Sequence, residues 1–225
     1  MREIAITDIH GCRKSFLALL HQLNLQAEDH LYFLGDYVDR GPDSRGVIDT
    51  LSALKNQCAA VRFLRGNHEE GMLQARNDDY WLEQWLTWGG YATIRSFQVE
   101  NLKDIPQVYW DFLEATEFYI ASGKYLLVHA GFNFDCRDPL SDEHAMLWIR
   151  NWENSINLDW LGDRYILHGH TPTPASRIQE RLKTLDIHRV LDIDAGCIAK
   201  HLPGLGMLCA FDMSNRKLYF QENID

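Results

Sequence analysis

Asp8 and His10 stand two apart in TDIHG, directly after the apolar run EIAI. In an extended segment, side chains two apart leave the same face, so this carboxylate and this imidazole reach toward one cation. On its own that pair is half of a metal site. Four further blocks carry the same residue types: GDYVDRG with Asp36, Asp39 and Arg40, GNHE with Asn67 and His68, HAG with His129, and GHT with His170. Each follows an apolar run. Five strand ends that all deliver Asp, His or Asn are poorly explained as loop polarity, and they point to metal-centred chemistry in one cleft.

The elements between these blocks have the pattern of an α/β domain, because short apolar runs alternate with amphipathic stretches. EIAIT, LYFLG and AVRFLRG read as strands. Phe16, Leu17, Leu20 and Leu23 read as one helical face, and Val47, Ile48, Leu51 and Leu54 as a second, with Asp43 or Ser44 as its cap. NHEEGMLQAR reads as a helix entered directly from the third strand. In open α/β sheets ligands bind at the carboxyl ends of the strands, which is where the polar blocks lie. From about Asp78 to Glu117 the chain is rich in tryptophan and reads as a helical insertion. Trp81, Trp85 and Trp88 share a face there, Gly89 and Gly90 end that helix, and a core stripe is the expected role of the tryptophans. TEFYIA with KYLLVHA, and MLCAFD with KLYF, read as hairpins, and RYILHGH as a buried strand. The expectation is a single domain over 1–225 with the insertion at 78–117.

Composition removes other classes. Lys and Arg number 22 against 32 Asp and Glu, a net charge of −10, so no basic face for nucleic acid is expected. Anionic substrates then need strong local positive charge. No run approaches the roughly 20 apolar residues of a membrane span. The start MREIAITDIHG has no apolar leader, so a cytoplasmic location is expected. Five cysteines without CxxC spacing indicate reduced thiols, and Cys12 beside the first block reads as an ordinary buried thiol.

In order and spacing, TDIHG, GDYVDRG, GNHE, HAG and GHT resemble the blocks of the PPP-type metallophosphatases. These are calcineurin-like metallophosphoesterases that include the Ser/Thr protein phosphatases. The resemblance runs from Asp8 to about Gly196 and is nearest to bacterial and phage members. It implies two mixed sheets packed as a sandwich and flanked by helices. It also implies two divalent ions, with Asp8 and His10 on the first, Asp36 bridging, and Asn67, His129 and His170 on the second. Carboxylate, imidazole and amide donors suit Mn, Fe or Zn. His68 becomes the proton donor and Asp39 the residue that fixes its ring. Arg40, and more loosely Arg150 in MLWIR, become the phosphate clamps. Thr7 departs from the family, which usually has Gly-Asp at that point, and it is not a ligand position. His168 is expected to be structural, His21, His30, His144, His188 and His201 to lie on the surface, and Asp194 near the floor of the site.

The resemblance favours hydrolysis of phosphoserine and phosphothreonine in proteins, with phosphotyrosine as a further substrate, so the expected partner is a phosphorylated protein or peptide. The alternative is a symmetrical bis(5′-nucleosyl)-tetraphosphatase, whose second block usually reads GDLVARG and lacks the aspartate present here as Asp39. A third reading, a scaffold of the same fold without catalysis, is disfavoured by the presence of His68.

Overall fold

The computed structural model describes residues 1–225 and contains two sheets. The first has the order β3-β2-β1-β8-β9, from β1 (Glu3–Ile6), β2 (His30–Phe33), β3 (Ala60–Phe63), β8 (Met207–Asp212) and β9 (Lys217–Glu222). Strands β1 to β3 are parallel, whereas β8 is antiparallel to β1 and pairs with β9 as a hairpin. The second has the order β4-β5-β6-β7, from β4 (Tyr119–Ser122), β5 (Tyr125–Val128), β6 (Tyr165–His168) and β7 (Val190–Asp192), with only β4–β5 antiparallel.

The two-residue alternation of the strands explains how the layers stack. Ala5, Tyr32 and Leu34 meet Ile120, Leu127, Leu167, Leu191 and Phe211 between the sheets. The opposite faces send Ile4, Ile6, Leu31 and Phe33 into the largest core. That core also holds residues of α1 (Arg13–Leu23), α2 (Ser44–Leu54), α3 (Asn67–Ala75) and α6 (Gln107–Glu114). Leu126, Val128, Ile166 and Val190 cover the outer face of the second sheet with Phe132, Met146, Trp152 and Leu161. Because apolar side chains are buried on both faces, these strands read as continuous hydrophobic runs. The result is the helix-flanked β-sandwich that the blocks implied.

Between α3 and β4 the chain is helical: α4 (Asp79–Trp85), a π-helical turn at Leu86–Gly90, α5 (Tyr91–Phe97), a 3₁₀ turn at Leu102–Asp104, and α6. Gly89 and Gly90 do not end the helical run as the sequence suggests. Gly89, at φ 115°, redirects it and α5 starts at once. Nor are the tryptophans one core stripe: Trp85 is fully buried, whereas Trp81 and Trp88 are half-buried. Beyond β5 lie α7 (Glu143–Trp148) and α8 (Leu158–Leu161), and beyond β6 lie α9 (Ala175–Lys183) and α10 (Leu185–His188). No helix is long and apolar enough to cross a membrane.

Candidate active site

All five blocks converge at the carboxyl ends of β1, β2, β3, β5 and β6. Asp8 and His10 come to line one cavity by a different route from the one expected. β1 ends at Ile6, and both residues sit in the following loop with left-handed backbone, φ 52° and 45°. Asp36, Asp39, Arg40 and His170 also have positive φ, from 55° to 71°. Such geometry is uncommon for residues with a Cβ and gathers where function holds the backbone against its preference.

Two groups of donors share Asp36. His10 Nε2 lies 3.4 Å from Asp36 Oδ2, and His68 Nε2 lies 4.0 Å from that oxygen. On the other side His129 Nε2 lies 3.5 Å from Asp36 Oδ1. Asn67 Oδ1 is 3.0 Å from both His129 Nε2 and His170 Nδ1, which are 3.2 Å from each other. Each oxygen of Asp36 thus faces one group of ligand-type atoms, and each group could hold a cation. Asp8 lines the same cavity, where its carboxylate accepts from the Thr7 hydroxyl and from the His170 amide. Thr7 therefore orients the Asp8 carboxylate.

The electrostatics fit divalent ions. Burial pushes the carboxyls of Asp8 and Asp36 well up, and each is raised further by a neighbouring acid, Asp194 and Asp8 respectively. Burial likewise pushes His10 well down, His129 to about 3 and His170 to about 2. Buried acids that stay raised in spite of the Arg40 charge, beside imidazoles held neutral, are costly arrangements that bound cations relieve. Neutral imidazole and carboxylate are also the forms that bind metal.

His68 and Asp39 form a buried pair, with His68 Nδ1 2.7 Å from Asp39 Oδ2. The same oxygen accepts from Trp85 Nε1 at 2.8 Å, and Oδ1 accepts from Thr93 Oγ1 at 2.6 Å. Asp39 is completely enclosed. Burial lowers the pKa of His68 while Asp39 opposes that shift. Arg40 and Arg150 line the ≈ 170 Å³ cavity together with Asp8, His10, Asp36, Asn67 and His170. Arg40 Nη1 sits 3.0 Å from His10 Nε2, and Arg150 Nη1 donates to His170 O and Thr171 Oγ1. Asp194 also lines the cavity, and burial raises its carboxyl to about 6.

Some of the expected bystanders lie apart from this centre. His168 is buried on β6 and belongs to neither group of donors, while His21, His144, His188 and His201 are exposed and His30 is half-buried. Cys12 is buried. One functional residue escaped the reading of the blocks. Glu69 is fully buried and its carboxylate accepts from four backbone amides, those of Asp36, Tyr37, Val38 and Gly66, at 2.8 to 3.2 Å. It ties the loop after β2 to the start of α3, so it positions both Asp36 and Asn67. Burial raises its pKa to about 7. Its signal was local: a Glu three residues after Gly66 is the acid half of a capping box.

The profile of the calcineurin-like phosphoesterases matches residues 1–198, and the chain belongs to that family. Its enzymes are hydrolases with a dinuclear divalent metal centre. Among its relatives, the asymmetrical bis(5′-nucleosyl)-tetraphosphatase PrpE of Anoxybacillus flavithermus is 26% identical over 223 residues, covering 86% of this chain and 84% of that protein. A symmetrical bis(5′-nucleosyl)-tetraphosphatase of Nitrosomonas europaea is 30% identical over 202 residues, covering 85% of this chain and 65% of its own length. The crystal structure of a candidate diadenosine tetraphosphatase superposes with a TM-score of 0.69 at 21% identity, covering 100% of this chain and 94% of that one. A serine/threonine phosphatase of Saccharomyces cerevisiae superposes with 0.71 at 16% identity, covering 100% and 81%, and both superpositions are likenesses of fold alone.

These relatives correct the expected phosphoprotein specificity. Proteins that align along most of this chain are named for small dinucleotide substrates, so neither the Ser/Thr phosphatase assignment nor the phosphopeptide partner stands. The expectation of a phosphoprotein substrate rests on Asp39. In the structure Asp39 touches His68, Trp85 and Thr93 and does not reach the cavity, so it makes no contact that could select the group that leaves.

Proposed function

We propose that this protein is a metal-dependent hydrolase of bis(5′-nucleosyl) tetraphosphates. The observation that carries the reading is the alignment with tetraphosphatases along most of both chains. In this reading Asp8, His10 and Asp36 would hold one divalent ion and Asp36, Asn67, His129 and His170 a second, and the bound ions would activate water at neutral pH and offset phosphoryl charge. Arg40 and Arg150 reach over the same cavity and hold phosphoryl oxygens, the local positive charge that a chain of net charge −10 needs for an anionic substrate. His68, turned to Asp36 by its Nε2 and held at Nδ1 by Asp39, delivers a proton to the departing phosphate oxygen.

The reading is tested by incubating the Mn-loaded enzyme with diadenosine tetraphosphate and separating products by anion exchange. ADP alone marks a central cut, and ATP with AMP an asymmetric one. Absence of nucleotide products from an enzyme that hydrolyses p-nitrophenyl phosphate would refute it.

A further inference from the structure

Beside His68 the structure holds an aromatic recess that the hydrolytic groups do not use. Trp88 stands edge-on to the His68 imidazole, with ring centroids 6.3 Å apart at 71°. Trp148 follows at 5.2 Å from Trp88 and Trp81 at 6.3 Å, both in T-shaped contact. Trp81 and Trp148, though not Trp88 or His68, line a cavity of ≈ 310 Å³ whose polar lining includes Gln74 and Glu143, and Trp88 joins it to His68 through its ring contacts. That is the small end of the size range of ligand sites, roughly 300 to 1,000 Å³.

The backbone is arranged to build this wall. Between α4 and α5 the chain bends at Gly89, whose φ of 115° lies outside the helical region. The turn carries Trp88 onto α3 at Gly71, where a Cβ would come within 2.5 Å of the Trp88 ring. The Trp88 carbonyl also accepts from Arg40 Nε at 3.4 Å, so one turn touches both the proton donor and a clamp.

These tryptophans differ from those of the core. Trp85, Trp110 and Trp152 are buried, and each indole N–H donates to a protein acceptor. Trp81, Trp88 and Trp148 are half-buried, and their indole N–H groups are not buried without a partner. Aromatic surface left partly open beside a cleft is what a planar π-bearing ligand stacks on.

We infer that this recess is the subsite for the nucleobase of the departing nucleotide, an inference that rests on the tetraphosphate reading and deepens it. In-line displacement sends the leaving group away opposite the nucleophile, hence to the side of the proton donor. His68 is that donor, and Trp88 is in contact with it. The departing fragment of a dinucleoside tetraphosphate is a nucleotide, so a base follows its phosphate past His68. Stacking accepts any base, and Gln74 and Glu143 offer acceptors to an exocyclic amino group.

The test is a competition on the full-length, Mn-loaded enzyme with p-nitrophenyl phosphate as reporter. AMP and ribose 5-phosphate carry the same phosphate, and only AMP carries a base. AMP should inhibit the wild type at about tenfold lower concentration, the ratio that about 1.4 kcal/mol of stacking produces. Trp148→Ala should bring the two inhibitors within about twofold of each other, and Trp148→Phe should restore most of the preference. Trp81→Ala gives a second comparison if Trp148→Ala does not fold. AMP should also quench tryptophan fluorescence in the wild type more than ribose 5-phosphate does. Equal inhibition of the wild type by both compounds, or a preference untouched by these alanine variants, overturns the subsite. Because the reporter is not a dinucleotide, failure to cleave diadenosine tetraphosphate would sink the proposed function without deciding this competition.

Discussion

Replacing Asp39 by asparagine removes one negative charge from behind His68 and changes almost nothing in shape. Oxygen placed at the Oδ2 position still accepts from His68 Nδ1 and Trp85 Nε1, which lie 2.7 and 2.8 Å away. The new amide then faces Thr93, whose hydroxyl can turn its proton toward Ser44 Oγ at 3.0 Å. The variant therefore folds, keeps its metal and holds the ring in place, but the hydrogen bond to His68 is no longer charge-assisted. Charged hydrogen bonds contribute about 1.5 to 3 kcal/mol against about 1 for neutral ones, so the protonated donor loses about 0.5 to 2 kcal/mol. That converts to a loss in kcat of roughly 2- to 30-fold where protonation limits the rate. The loss should be largest on glycerol phosphate, whose alkoxide leaves badly, and smaller on p-nitrophenyl phosphate and diadenosine tetraphosphate, which release stabilised anions. Phosphate or nucleotide release, with metal content from elemental analysis, measures it. Unchanged kcat on all three substrates, or an equal loss on all three, would refute the role assigned to the pair.

Chelation should abolish activity and added Mn restore it; Asp36→Asn should weaken both metal positions and Asn67→Ala mainly one, as metal stoichiometry after dialysis will report. Glu69→Ala strands four buried amides, so we expect at least about 3 kcal/mol of destabilisation in urea unfolding together with weaker metal binding. Stability equal to wild type would contradict its tethering role. Glu153, whose carboxyl is held at about 2 by His168 and by Arg181, adds stability that is fully present above its unfolded value near 4.5 and is lost as pH falls toward 2. Glu153→Gln should therefore lower stability at neutral pH by about 1 kcal/mol after solvent screening, and should flatten the decline between pH 5 and pH 2 in thermal melts.

The individual strands, the helices and the blocks that build the cleft were legible because each rests on a local signal, whereas the packing of the strands as two mixed sheets was implied by the resemblance of the blocks. Apolar runs buried on both faces announce strands, periodic Leu and Val faces announce helices, and Asp, His and Asn at successive strand ends announce donors for cations. What the sequence did not disclose depends on contacts between distant segments. Asp8 and His10 reach one cavity through left-handed loop backbone that no alternation rule predicts, and the four-amide cradle of Glu69 exists only once α3 is docked against the loop after β2. Gly89 read as a helix stop, yet the packing of Trp88 on Gly71 and of Arg40 on the Trp88 carbonyl turns it into a bend. Substrate class lay furthest from local sequence. In the proposed reading Asp39 and His68 govern how a proton is delivered, whereas the recess beside Trp81 and Trp148 selects the leaving nucleotide. Its walls come from α3, α4 and α7, residues far apart in the chain that only the folded protein sets side by side.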